Sequence, residues 1–369
     1  MRGDVRSATT GTPLSGLATA AYRGVSLDVG RKAFSVEAVV GLIGRMADLG
    51  FTALHLHLTE THRVGVRLPG VEELAADDAW DAHDIARIVA ADEAAGIALI
   101  PEIDLPSHAA ALLVGREHLR LVDRDGAVHA DRLDISRPEA LEFALELLEA
   151  AARAFPGDAI HLGGDEFFAA PWEDADAQHP ERFPRLVAHA RRLLGAGATA
   201  HDSYALFINA LAARALELGR TPMLWNDHVV PASAAPLVPI STEVVLDVWI
   251  RWREWTPSVH DYLAAGHRVV TSHGDLLYFV LSEDGVPAPH GRRRFGLLED
   301  TFAPRRFMGL AAQDVHLDVP RVPTGTPDPV LGASLSVWCD SPDALGERET
   351  LELLDTWLVP FARVMGEGC

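Results

Sequence analysis

The chain has 369 residues, 48% of them hydrophobic, and its 53 acidic against 32 basic residues leave a net charge of −21. That is enough apolar sequence for one large α/β core, and the acidity argues against nucleic acid or an anionic membrane as a partner. Cys339 and Cys369 are the only cysteines and no apolar run reaches the length of a membrane span, so no disulfide framework, cysteine-rich zinc site or membrane helix is expected.

Residues 1–20 lack the continuous apolar core of a signal peptide, which makes a poorly ordered extension and a cytoplasmic location the expectation. A strand is predicted over Tyr22 to Val29. Beyond it lies Lys32, the only lysine, which leaves a Schiff-base mechanism a single candidate and is expected to be a solvated charge. Ser35 caps a helix to Leu49 that places Ala38, Leu42, Ile43, Met46 and Leu49 on one face. Phe51 to Leu58 is the second strand, and a helix opened by Asp81 or Asp84 runs to Ala95 and stops at Gly96. Ile97 to Ile103 is the third strand, followed by a loop with a helical piece near Ala109 to Leu113. Pro138 sits in the first turn of a strongly amphipathic helix ending at Phe155.

The fourth strand is the stretch Ala159-Ile160-His161-Leu162-Gly163-Gly164-Asp165-Glu166, an apolar run ending in two glycines and two adjacent carboxylates. Helices are predicted near Arg182 to Leu194 and over Ser203 to Leu218, then strands at Pro222 to Asn226 and Val244 to Ile250. A helix over Pro257 to Ala265, a strand over Arg268 to Ser272, a helical piece near Pro304 to Met308, a strand over Leu331 to Trp338 and a closing helix within Pro342 to Met365 complete the chain. Eight apolar strands, most followed by a helix and with no polar linker between them, predict a single (β/α)8 TIM barrel over residues 21–369. A doubly wound open sheet is the alternative, but no Gly-x-Gly-x-x-Gly follows the first strand.

In such a barrel the chemistry sits where strands end. Polar and aromatic residues gather there: His55, His57 and Glu60 after the second strand, Glu102, Asp104 and His108 after the third, Asp165 and Glu166 after the fourth. Trp225, Asn226 and Asp227 end the fifth, Trp249 the sixth, Tyr278 follows the seventh, and Trp338 and Asp340 close the eighth. Each tryptophan alone reads as core. Together they suit a sugar, whose C–H faces stack on rings while carboxylates bind its hydroxyls. His55 and His57 also allow a metal-dependent barrel hydrolase, although no ordered set of further histidine ligands follows.

The string His161-Leu162-Gly163-Gly164-Asp165-Glu166 resembles the catalytic motif of the family 20 glycoside hydrolases, the β-N-acetylhexosaminidases. Tyr22-Arg23-Gly24 through Leu27-Asp28-Val29 to Arg31, His57-Leu58-Thr59, Pro101-Glu102-Ile103-Asp104-Leu105-Pro106-Ser107-His108 and Trp225-Asn226-Asp227 resemble further stretches of that family, so the likeness runs from Tyr22 to the last helix. It implies the barrel catalytic domain alone and a retaining, exo-acting enzyme that needs no cofactor or metal and releases terminal β-linked amino sugars from a glycan or glycoconjugate. It also implies residue roles. Glu166 is the general acid and then base, and Asp165, as a carboxylate, holds the acetamido N–H while the acetamido oxygen attacks to give an oxazolinium intermediate. His108 with Glu60 supports the acid, Arg23, Asp227 and Asp340 bind the sugar, Trp225, Trp249 and Trp338 enclose it, and Tyr278 donates to the acetamido oxygen.

Three departures stand out. The family's Asp-Asp-Gln is Glu60-Thr61-His62 here, its Tyr-x-Asp is Tyr278-Phe279-Val280, and its Trp-x-Glu is Trp338-Cys339-Asp340. These changes keep an amino-sugar-binding barrel without turnover, or with altered specificity, as an alternative. The basic run Arg292-Arg293-Arg294 reads as a solvated loop, with recognition of an anionic substituent as its other reading.

Overall fold

The computed structural model describes residues 22–168, 180–230, 236–251, 254, 256–282, 301–310 and 316–367. The N-terminal extension and the Arg292–Arg294 run lie outside the described residues.

Parallel strands close into a barrel in the order β1 (Tyr22–Asp28), β2 (Ala53–His57), β3 (Ala98–Glu102), β6 (Ala159–His161), β7 (Thr221–Trp225), β8 (Val245–Val248), β9 (Val269–Thr271) and β13 (Val330–Trp338). Closure is by β13 against β1, from Tyr22 opposite Gly332 to Leu27 opposite Val337. The seventh position is split. β9 pairs the lower part of β13 and a second segment, β10 (Tyr278–Val280), pairs its upper part, with Val280 opposite Trp338. Two antiparallel hairpins decorate the loops, β4 (Arg120–Val122) with β5 (Val128–Leu133) and β11 (Arg306–Met308) with β12 (His316–Asp318).

Local chemistry sets the helix ends. Ser35 Oγ accepts from Ala38 N–H at the start of α1 (Val36–Asp48), and a reciprocal Asp81–Asp84 box opens α2 (Ala82–Ala95), which Gly96 ends at φ 68°. α3 (Pro138–Ala154) and α4 (Pro184–Leu194) carry proline in the first turn. α5 (Ala200–Glu217) starts three residues before the predicted Ser203 because Thr199 and Asp202 form the capping box. α6 (Val259–Ala264) and α7 (Glu347–Glu367) complete the described helices.

Two predicted helical pieces are not helices. Ala109 to Leu113 makes one bonded turn, Leu113 N–H to the Ala109 carbonyl at 2.9 Å, and Gly115 at φ 73° ends it before a second can form. Arg306 to Met308 is strand, because its edge pairs with β12 and the Arg306 guanidinium forks onto Asp318 at 2.8 and 2.9 Å. Nor is Lys32 a free surface charge: its ammonium donates to the Pro342 and Leu345 carbonyls at 2.5 and 2.9 Å, tying the loop after β1 to the turn after β13.

The barrel interior changes character with height. Tyr22, Ala53, Ile100, Ala159, Met223, Val245 and Val270, one from each of seven strands, form an apolar lower layer. Two residues further along four of these strands stand His55, Glu102, His161 and Asp247, all fully buried. Burial raises the Asp247 carboxyl to about 7. The folded protein therefore holds a proton that the unfolded chain releases near pH 4, so this site favours folding at low pH and opposes it as pH rises through 7. Between pH 4 and 8, Asp247→Asn should lose less stability than the wild type by on the order of a few kcal/mol, read from denaturant midpoints at the two pH values.

Candidate active site

Beyond β6 the backbone makes the turn Gly163-Gly164-Asp165-Glu166, with φ of 74° at Gly163, 99° at Gly164 and 52° at Glu166. Left-handed backbone is open to glycine, but for Glu166 it has to be held in place by its surroundings. The turn is pinned at four points. Trp225 N–H donates to the Gly163 carbonyl at 3.0 Å, Tyr204 O–H to the Gly164 carbonyl at 2.7 Å, Ser107 O–H to the Asp165 carbonyl, and Glu166 N–H to Asp227 Oδ2 at 2.7 Å. Donors from β7, α5 and the loop after β3 thus fix the turn and present both carboxylates to the barrel mouth.

His108 stands beside them, itself left-handed at φ 52°. Its Nδ1 is 2.7 Å from Glu60 Oε1, and its Nε2 is 3.5 Å from Glu166 Oε2 and 3.6 Å from Asp165 Oδ2. Burial opposes its protonation, but Glu60, Asp165 and Asp104 outweigh that and raise it well above the usual histidine range. Burial likewise opposes charge on Glu60, yet His108 and Arg31 hold it far below the usual carboxylate range. Glu60 and His108 are therefore an ion pair at neutral pH. Asp165 differs: burial first, then Asp227 and Glu166, push it to about 7 against the pull of His108. The expectation of an ionised Asp165 holds in the free protein only above about that pH.

The two carboxylates open on a cavity of about 330 Å3 lined by Trp225, Trp249, Tyr278 and Trp338 on one side and by Arg31, His62 and Asp340 among its polar residues. Trp249 and Tyr278 stack at 5.9 Å with a 7° interplanar angle, and Tyr278 meets Trp338 edge-on at 5.7 Å. The split seventh strand makes this possible, since β10 brings Tyr278 up to the rim beside β13. Val280 also faces the cavity, and burial raises the Asp340 carboxyl above the usual range.

Two predicted sugar-binding residues stand elsewhere. Arg23 is the second residue of β1, next to the inward-facing Tyr22, so alternation turns it outward, and its guanidinium reaches the Gly50 carbonyl at 3.5 Å at the opposite end of the barrel. Arg31 occupies the mouth instead, bonded to Asp28 at 2.8 Å and to Glu60 at 2.5 Å. Its position three residues past the strand end, facing Asp28 at i−3, was the available sequence signal. Asp227 is behind the cavity wall: it accepts from Glu166 N–H at 2.7 Å and from the Trp249 indole at 3.2 Å, so it holds two site residues rather than substrate.

Asp104 was unassigned and belongs here. It is fully buried, lines the cavity, and neither side-chain oxygen has a hydrogen-bond partner, and burial followed by Asp165 raises its carboxyl well above the usual range. Its side chain packs on Gly163, where an added Cβ would lie 2.1 Å from Asp104 Oδ1. Below it, His55 Nε2 and His57 Nδ1 both address Glu102 Oε2, at 3.0 and 2.5 Å, and His161 Nδ1 lies 3.0 Å from Oε1. The His57–Glu102 contact is a direct hydrogen bond. Gly163→Ala, clashing with Asp104 and strained at positive φ, should cost about 3 kcal/mol or more of stability, read by chemical denaturation.

The comparisons with known proteins agree with this geometry. The description "Glycosyl hydrolase family 20, catalytic domain" matches residues 21–341. A β-N-acetylhexosaminidase of Cellulomonas fimi is 25% identical over 350 residues, covering 90% of this chain and 61% of its own length. A lacto-N-biosidase of Bifidobacterium bifidum is 26% identical over 227 residues, 62% of this chain and 19% of that protein. This chain thus spans about three-fifths of the first relative and a fifth of the second. Among solved structures, a catalytic module of a pneumococcal exo-β-D-N-acetylglucosaminidase superposes with a TM-score of 0.68 at 18% identity, covering 94% of this chain and 85% of that one. The exo-β-N-acetylglucosaminidase of Vibrio harveyi gives 0.67 at 21% identity, over 93% and 54%. With a family match over most of its length and the same barrel, this chain belongs to glycosyl hydrolase family 20 through that family's catalytic domain.

Proposed function

We propose that the chain is a retaining, exo-acting β-N-acetylhexosaminidase that uses its substrate's acetamido group as nucleophile. The observation that carries this reading is the Asp165–Glu166 turn beside the His108–Glu60 pair, facing an aromatic-lined cavity of about 330 Å3.

Glu166 protonates the glycosidic oxygen as the acetamido oxygen bonds to C1 and the leaving group departs. Asp165 accepts the acetamido N–H, which gains positive character as the oxazolinium ring closes. Glu166, now a carboxylate, takes a proton from water, whose oxygen opens the ring at C1 on the original face. His108, charged and 3.5 Å from Glu166, stabilises that carboxylate between the two steps. A carboxylate nucleophile would need a second acid across the ring from Glu166. Glu60 is bound to Arg31 and His108, burial raises Asp104 and Asp340 toward their protonated forms, and Asp165 is Glu166's own chain neighbour, which favours the substrate's own group.

Glu166→Gln should lower kcat on an aryl β-N-acetylglucosaminide about 10³-fold and Asp165→Asn about 10²-fold. Hydrolysis should require the 2-acetamido group and be inhibited by an oxazoline-mimicking thiazoline. Equal turnover of sugars lacking the acetamido group would sink the mechanism. Because Asp165 must be ionised and is raised to about 7, kcat/KM should fall on the acid side with an apparent pKa near 7. Asp227→Asn, by removing a neighbouring negative charge, should move that limb to lower pH in a pH–rate profile.

A further inference from the structure

Three strands aim interior side chains at one buried carboxylate of a fourth, beneath the sugar cavity. Glu102 of β3 faces His55 Nε2 at 3.0 Å and His57 Nδ1 at 2.5 Å through Oε2, and His161 Nδ1 at 3.0 Å and the Trp225 indole N–H at 2.7 Å through Oε1. Each of these five side chains is at most 2% exposed. Filling space does not require them, since the layer just below is packed with apolar residues.

The arrangement connects upward. His57 and Trp225 both line the cavity, whereas Glu102 does not. The His57 ring meets Trp338 edge-on at 5.2 Å and 85°, and Trp225 contacts Trp338 at 5.9 Å and the His161 ring at 4.7 Å. An indole packed only by rings can rotate or slide, whereas one whose N–H is held by a fixed, charged acceptor cannot. The acceptor is itself fixed, because its other contacts come from strands on either side. Despite burial, the imidazoles keep Glu102 ionised, and Glu102 in turn raises His57 above the usual histidine range.

We propose that Glu102 is a positioning residue for the cavity floor: through its bonds to Trp225 and His57 it fixes the aromatic surface on which the amino sugar lies, without touching the sugar. This rests on the function proposed above. The test is a double-mutant cycle on binding of the thiazoline inhibitor, with folding of each protein checked by thermal melting and kcat/KM measured alongside. Glu102→Gln and Trp225→Phe should each raise the inhibition constant about tenfold, and the double variant should be no worse than the weaker-binding single. Independent, additive losses would overturn the proposal, as would a folded Glu102→Gln that binds like the wild type. Trp225→Phe deletes the indole donor together with part of the ring area, so if Glu102→Gln does not fold, a folded Trp225→Phe with unchanged inhibition and kcat/KM overturns it alone. Failure of the wild type to bind thiazoline would overturn the functional reading and this one together, an outcome distinct from any failure confined to the variants.

Discussion

Acidic groups crowded into a low-dielectric barrel mouth impose the constraint on which the site depends. A buried carboxylate has to find a cation or keep a proton. This barrel uses both solutions side by side. Glu60 and Glu102 lie against Arg31, His108 and the imidazoles of β2 and β6, and they stay ionised. Asp104, Asp165, Asp227 and Asp247 are raised by burial before any other cause. The His108–Glu60 ion pair stands about equally close to both carboxyls of the turn, with His108 3.5 Å from Glu166 and 3.6 Å from Asp165, and Asp165 itself belongs to the raised set.

Rigidity comes from the backbone as much as from charge. The turn after β6 departs from ordinary helical or strand geometry at Gly163, Gly164 and Glu166, and donors from three separate parts of the chain hold it there. Asp227 serves this purpose while also holding Trp249, so one carboxylate couples the acid's backbone to a cavity wall. Lys32 acts similarly at the far side, where it fixes the turn that carries Asp340. Glu102 performs the same service for the floor. In each case a group behind the cavity wall uses its hydrogen bonds to hold one that faces the cavity.

Much of this was legible along the chain. Alternating and continuous apolar runs marked the barrel strands, and caps such as Ser35, Asp81 and Gly96 marked helix ends, because both signals arise from neighbours in sequence. The carboxylate pair, His108 and Glu60 were visible as polar residues at strand ends. The misreadings have separate causes. Ala109 to Leu113 looks helical but is ended by the nearby Gly115, whereas Arg306 to Met308 pairs with the strand at His316, a partner that a local pattern does not contain. Arg23 rather than Arg31 is the arginine that the resemblance implies, whereas the alternation starting from Tyr22 already turns Arg23 away.

By itself the sequence determined the eight-strand order, the helix caps and the set of residues available at the strand ends, since these follow from periodicity and short-range hydrogen bonding. Only the tertiary structure decided which of those residues meet. Closure of β13 on β1 brings Asp28 to the Cys339 N–H across 311 positions, and the split seventh strand raises Tyr278 beside Trp338. Convergence of three strands on Glu102 is likewise a property of barrel curvature and register. Protonation followed the same division: the identity of an aspartate is local, but whether it holds a proton depends on how much water the folded barrel has removed and which charges it has put in that water's place.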